Sequence, residues 1–332
     1  MSATQKYSSY IEIPIAVLRD ESLSDVDLYI LHPAATVPVL FKSRQSPPKS
    51  LSFQRIRDQG KTRFFVPTEQ HSHFQVHVEQ VLDKLLHDPG LPLEEKVHVL
   101  YSSATGLMKQ MFEQPVTREV IGRAREMTGT LTGFLAAEQR AFRHLLGLVS
   151  YDYYTYTHSV NVFVYSVCLA QRAGYTDDRI LREFGEGLLL HDIGKCKIDP
   201  SIVNSPGKLT ASQVACMQQH PVLGSEMLRK DSGLSDLALD VVLHHHEKLN
   251  GSGYPDGLRG EQIHPLVRVS TIADIFDALT TRRSYRKAMT TFEAFRLMNR
   301  EMLELLDQNL FRLFITMFAD DQELQPMSSA IN

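Results

Sequence analysis

Cysteine is scarce: Cys168, Cys196 and Cys216 are the three in 332 residues, and no spacing pairs them. That excludes a disulfide framework and fits a reducing compartment. Long apolar runs are missing as well. No window reaches the roughly 18 consecutive apolar residues of a membrane span, and Met1-Ser-Ala-Thr-Gln-Lys6 has no apolar stretch of signal-peptide kind behind it. A soluble, cytoplasmic protein without membrane attachment is therefore expected. Positive charge is not in excess either: 35 Lys and Arg stand against 39 Asp and Glu, a net charge of −4. This argues against nucleic acid polymers and membrane surfaces as partners, and leaves room for a local basic pocket. What remains is ordinary globular material, 43 % hydrophobic and 22 % charged, in a length that suggests two domains. Histidine, by contrast, is plentiful, with 14 in the chain.

Residues 1–115 differ in pattern from the rest. Tyr10-Ile-Glu-Ile-Pro-Ile-Ala-Val-Leu18, Asp27-Leu-Tyr-Ile-Leu31, Val37-Pro-Val-Leu-Phe41 and Arg63-Phe-Phe-Val-Pro67 read as short strands. Ser52 to Gln59 reads as a short helix, and longer helices are expected at about 71–87 and 93–112. The stretch predicts a small α+β regulatory module. His71, His73 and His77 have no carboxylate to complete a site and read as a solvated helix face. Residues 116–148 read as one connecting helix, N-capped by Thr117, with Val120, Ile121, Ala124, Met127, Leu131 and Leu135 at helical spacing.

From residue 149 to about 320 the pattern is helix after helix. A helix from Tyr154 to Ala173, ended by Gly174, is followed by one that Thr176 or Asp177 caps and that runs to His191. Thr210-Ala-Ser-Gln213 is a capping box, opening a helix expected to end at His220-Pro221. Further helices are expected from Ser235 to His246, Pro265 to Thr281 and Thr291 to about Leu306, with a Gly-rich loop at Asn250-Gly-Ser-Gly-Tyr-Pro-Asp-Gly257. Metal-ligating side chains gather along this run: His158, His191, Asp192, His220, His245, His246 and Asp274, with Asp277 one helical turn beyond. A single helical His is usually an ordinary core residue. A His and an Asp side by side after the apolar Leu188-Leu-Leu190, and Asp274 inside Ile272-Ala-Asp-Ile-Phe-Asp-Ala-Leu279, are harder to place in a core without a partner such as a metal ion.

These residues resemble the HD-GYP phosphodiesterases, a branch of the HD superfamily of metal-dependent phosphohydrolases. The resemblance runs over residues 150–300: His158-Ser, His191-Asp-Ile-Gly-Lys195, Leu209-Thr, His220-Pro-x-x-Gly224, His245-His-Glu247, Asn250-Gly-Ser-Gly-Tyr-Pro-Asp-Gly-Leu-x-Gly260, Ala273-Asp-Ile-Phe-Asp-Ala-Leu279 and Arg283-Ser-Tyr-Arg286, in the family's order and spacing. It implies a mainly α chain, with an all-α HD-type domain behind the smaller α+β module.

The resemblance implies a binuclear site. His158, His191, Asp192 and Asp274 would hold one divalent metal; Asp192, His220, His245 and His246 would hold the other, with Asp192 bridging. Iron or manganese suits the nitrogen and oxygen donors, and zinc or nickel also fits. Some members take a third metal through a Glu four residues before the first His; that position is Tyr154, so two metals are expected. A hydroxide bridging the metals would attack phosphorus. Asp192 and Lys195 would serve catalysis, and Asp277 would orient a ligand or accept a proton. Lys195, Arg283, Arg286, Tyr254 and Gly253 would contact substrate. The implied reaction opens cyclic di-GMP to linear pGpG, and onward to GMP. Another cyclic dinucleotide, such as cyclic GMP-AMP, and a catalytically weak nucleotide-binding signalling role stay open. So do a homodimer and docking of diguanylate cyclase domains on the Gly-Tyr-Pro loop.

Overall fold

The computed structural model describes residues 9–13, 17, 26–31, 37–45, 63–138, 140–148, 155–229, 233–282 and 287–319. The chain divides into two compact units, Met1–Gly106 and Leu107–Asn332. In the first, four short strands form one antiparallel sheet: β1 (Tyr10–Ile13), β2 (Leu28–Leu31), β3 (Val39–Lys42) and β4 (Arg63–Pro67), in the order β1-β4-β2-β3. Phe64, Phe65 and Val66 of the central β4 are all buried, because both faces of that strand are covered. Helix α1 (His71–His87) lays Phe74, Val78, Leu82 and Leu85 along one buried stripe and packs on β4. Helix α2 (Leu93–Glu113) follows. The division between the units falls inside α2. The short helix expected at Ser52–Gln59 lies outside the described residues.

In the second unit the expected connecting helix is two helices, α3 (Arg118–Ala137) and α4 (Ala141–Leu148). Thr117 caps α3 as expected, its Oγ1 accepting the Val120 N–H at 3.3 Å. Glu138 then leaves the helical conformation (φ −116°, ψ 81°), and the turn lets Ala141 and Leu145 of α4 reach the core. The stripe of Val120, Ala124, Met127 and Leu131 is buried and α3 packs on the two helices that follow, so the stretch belongs to the helical unit rather than linking to it.

Those two helices are α5 (Thr155–Arg172) and α6 (Asp178–Leu190). Helix α5 is buried on almost every side from Thr157 to Val167, which marks it as the centre of the unit. Asp177 caps α6 through its Oδ1, which accepts the N–H groups of Arg179 (2.8 Å) and Ile180 (3.2 Å). A 3₁₀ turn (Ile193–Lys197) and the short α7 (Pro200–Val203) lead to α8 (Ala211–Met217), which starts at the expected capping box. His220-Pro221 does not end a helix but opens α9 (His220–Arg229), because proline in a first turn forfeits no hydrogen bond. Then come α10 (Asp236–His244), α11 (Pro265–Thr280), α12 (Thr291–Glu301) and α13 (Gln308–Ala319). The sequence reading has no counterpart of α13, although Phe311, Phe314 and Phe318 share one face. Phe276 of α11 gathers Tyr165 (5.3 Å between ring centres), Phe295 (4.9 Å) and Phe314 (5.1 Å), joining α5, α11, α12 and α13. Each such pair contributes about 0.5–1.5 kcal/mol beyond its buried area.

Candidate metal centre

The centre begins where α6 stops. Its buried leucines end at His191 and Asp192, each 1 % exposed, and the chain tightens into the 3₁₀ turn. Gly194 sits in that turn because nothing larger fits: a Cβ there would lie 1.9 Å from the carbonyl oxygen of His220. The bare backbone lets the turn lie against the first residue of α9, which brings His220 to Asp192. His158 comes from the first turns of α5, His245 and His246 from the end of α10, and Asp274 from the middle of α11.

Asp192 occupies the middle. Its Oδ1 faces His220 Nε2 at 3.2 Å and His245 Nε2 at 4.0 Å. Its Oδ2 faces His191 Nε2 at 3.6 Å, His158 Nε2 at 3.7 Å and the Lys195 ammonium at 2.5 Å. Asp274 reaches His158 Nε2 through Oδ1 (3.0 Å) and His246 Nδ1 through Oδ2 (3.4 Å). The donors form two sets that share Asp192: His158, His191 and Asp192, and Asp192, His220, His245 and His246. Within each set the ligand atoms lie within 4.8 Å of one another.

The outward nitrogens explain why the inward ones point as they do. His191 Nδ1 meets the Leu188 carbonyl oxygen at 2.7 Å, His220 Nδ1 that of Met217 at 2.8 Å, and His245 Nδ1 that of Val242 at 2.9 Å. A carbonyl only accepts, so each Nδ1 carries the proton and each Nε2 presents a lone pair to the centre. His220 Nε2 and His245 Nε2 nonetheless lie 3.2 Å apart, two lone pairs facing one another. His191 Nε2 and Asp192 Oδ1 are buried with no hydrogen-bond partner. Orphaned acceptors crowded into a buried space call for a cation.

The electrostatics agree. Burial holds the His191 and His245 imidazoles below their ordinary range and pushes His246 down to about 3, so all three are neutral at pH 7. Burial alone would raise the Asp192 carboxyl, but the Lys195 ammonium beside it holds it well below the usual range. Asp274 is lowered against its own burial by its hydrogen bond with His158. Neutral imidazoles and ionised carboxylates are the protonation states a divalent metal requires.

The remaining predicted residues divide. Lys195 stands at the rim with its ammonium on Asp192. Asp277, fully buried, lies behind His158: its Oδ2 is 2.7 Å from His158 Nδ1, and its Oδ1 accepts from Asn161 Nδ2 at 2.9 Å. Both of its oxygens are thus engaged on the far side of the His158 ring. Tyr254 packs its ring 4.8 Å from that of His246, and burial raises its phenol, which stays protonated. A Cβ on Gly253 would meet the Glu247 Cα at 2.4 Å, so the bare backbone there lets the loop lie directly against Glu247. Tyr154, Arg283 and Arg286 lie outside the described residues.

Sequence reasoning passed over what holds the loop. Glu247, 1 % exposed, accepts three backbone N–H groups: Asp256 (2.7 Å) and Gly257 (2.9 Å) on Oε1, and Leu258 (3.0 Å) on Oε2. His244 adds a second tie, with Nδ1 2.5 Å from Asp240 and Nε2 3.0 Å from Asp256. The signal in the sequence is a carboxylate directly after the paired histidines His245 and His246; its partners are main-chain groups, which residue identity does not display.

Comparison with known proteins bears on this arrangement. Residues 155–310 match the family model described as HD domain. A cyclic di-GMP phosphodiesterase of Pseudomonas aeruginosa is 36 % identical over 228 residues, 67 % of this chain and 55 % of that protein. A 3'3'-cGAMP-specific phosphodiesterase of Vibrio cholerae is 37 % identical over 181 residues, 53 % of this chain and 38 % of that protein. The chain therefore spans about half the length, or less, of these curated relatives. An HDG"Y"P protein from Bdellovibrio bacteriovorus shares the fold, with a TM-score of 0.65 over 93 % of this chain and 99 % of that one, at 18 % identity. HD domains bind divalent metals, and the donor set described above fits them. With His191-Asp192 and Gly253-Tyr254-Pro255 meeting at one site, residues 155–310 of this chain belong to the HD domain family, in its HD-GYP branch.

Proposed function

We propose that the chain is a metal-dependent phosphodiesterase that opens cyclic di-GMP to linear pGpG and carries it on to GMP. The observation that carries this reading is the convergence of buried, unprotonated Nε2 atoms on the two oxygens of Asp192. His158, His191, Asp192 and Asp274 would hold one divalent ion, and Asp192, His220, His245 and His246 the other, with iron or manganese the best match to the donors. Such ions supply Lewis acidity for a phosphoryl group and acidify water.

The chain's own residues do the rest. Asp192 stays ionised and serves both donor sets. Asp277 and the carbonyls of Leu188, Met217 and Val242 fix the direction of the ligating nitrogens. Lys195 keeps a positive charge at the rim, where an incoming phosphodiester loses water and gains a counter-charge. Tyr254, held against His246 by its loop, walls the site beside the second donor set. Arg283 and Arg286 follow α11 in sequence and would supply guanidinium forks for the second phosphate or a guanine edge. The N-terminal unit would regulate the activity.

The named activity of the Pseudomonas relative supports cyclic di-GMP. The Vibrio relative, similarly identical over a shorter span, supports 3'3'-cGAMP as a second reading. An anaerobically purified sample offered each dinucleotide separately tests both. Linear pGpG from cyclic di-GMP at the faster rate is expected. Faster opening of 3'3'-cGAMP would transfer the assignment, and bound nucleotide with no product would reduce the protein to a sensor.

A further inference from the structure

A cavity of about 640 Å³ lies at the end of the helical unit away from the metal centre, in the size range of small-molecule sites. Leu135 of α3, Phe142 of α4, Leu181 of α6 and Met317 of α13 give it an apolar floor. Among the described residues, three guanidinium groups line it, Arg140, Arg143 and Arg172, against two carboxylates, Glu138 and Asp178. Among the described residues the rim carries one more positive than negative side chain, over an apolar floor. Its chemistry matches an acid group on an apolar body, with the acid taken by guanidinium forks and the body replacing water below.

Two routes lead from this cavity to the centre. Cys168 lines it from α5, ten residues after His158, and Leu181 lines it from α6, ten residues before His191. Each interval is about 15 Å of continuous helix. The second route is aromatic. Phe142 packs edge-on against Tyr165 at 6.4 Å, and Tyr165 against Phe276 at 5.3 Å. Phe276 lies between Asp274 and Asp277 in α11. Anything that spreads α5 from α6, or moves Phe142, therefore acts on residues that carry or orient donors.

We propose that this cavity is a regulatory site for a small amphiphilic monoanion, coupled through α5, α6 and the Phe142-Tyr165-Phe276 contacts to the metal centre. The binding half stands apart from the proposed function; the coupling half rests on the reading of His158, His191 and Asp274 as metal ligands.

The probe is 8-anilinonaphthalene-1-sulfonate, an acid on an aromatic body, titrated by fluorescence into the full chain. A saturable site is expected. Arg143→Glu with Arg172→Glu should weaken it at least tenfold. Ala136→Trp, at an exposed helix position on the cavity wall, should close it, with the thermal midpoint unchanged in both variants. Binding that neither variant weakens would overturn the site. For the coupling, the dissociation constant of the probe is measured with saturating Mn(II) and after chelation. Coupling is reciprocal, so a shift of about fivefold or more is expected. Equal constants in a chain that binds Mn(II) would overturn the coupling; a chain that binds no Mn(II) would overturn the metal centre instead, and the coupling with it.

Discussion

The donor wall and the Gly-Tyr-Pro loop border one another at the centre but are held in different ways. The wall is fixed one side chain at a time. Each of His191, His220 and His245 hangs by Nδ1 from a helix carbonyl, and His158 from Asp277. The loop is fixed collectively, by one buried carboxylate that takes three successive N–H groups and by the His244 tie to Asp256. A wall built from separately oriented groups tolerates the loss of an orienting partner better than the loss of its shared centre. A loop gathered on a single acid stands or falls with it.

The largest effect is expected at the shared residue. Asp192→Ala should empty both metal positions and lower turnover by at least about a thousandfold, since the two depend on one carboxylate. Full activity in that variant would refute the bridging role. Chelation comes next. Removing metal leaves His220 Nε2 and His245 Nε2 opposed, so the thermal midpoint should fall by several degrees, as when any ligand bound only by the native state is withdrawn. The Asp192→Ala protein should show no such fall; equal falls in both would place the stabilising ions elsewhere.

On the loop side, Glu247→Ala leaves three backbone donors without their acceptor. A loss of about 2–4 kcal/mol is expected from hydrogen bonds to a charged group, read by denaturant unfolding, with metal content retained and turnover reduced. Loss of metal before loss of stability would show that Glu247 acts on the wall rather than the loop. Asp277→Asn keeps the shape but weakens the grip on His158, and should lower affinity at one metal position by about 10- to 100-fold while sparing the other. A uniform drop at both positions would contradict its local role. Asp256→Asn, at an exposed partner of His244, should cost under about 1 kcal/mol and leave metal content alone.

The same contrast separates what the sequence displayed from what it did not. The wall was legible because its donors are residue types in a fixed order, and His158, His191, Asp192, His220, His245, His246 and Asp274 are drawn to one point from five separate segments. The scaffold was less so. Glu247 binds main chain, and Gly194 matters through a neighbour distant in sequence, so neither role follows from local pattern. Asp277 sits one turn from Asp274, but only the packing of α5 against α11 shows which way it faces. Pro221 reads as a stop because proline breaks helix interiors, whereas its place in a first turn depends on where α9 begins. Helix α13 lies after the family's motifs, and its phenylalanines gain meaning only against Phe276.

The most direct test of the account is metal content by mass spectrometry, with anomalous X-ray scattering from crystals of the anaerobically purified chain. Two divalent ions per chain are expected, one on each side of Asp192, and both should vanish in Asp192→Ala. No ion between His220 and His245, or two ions retained without Asp192, would contradict it.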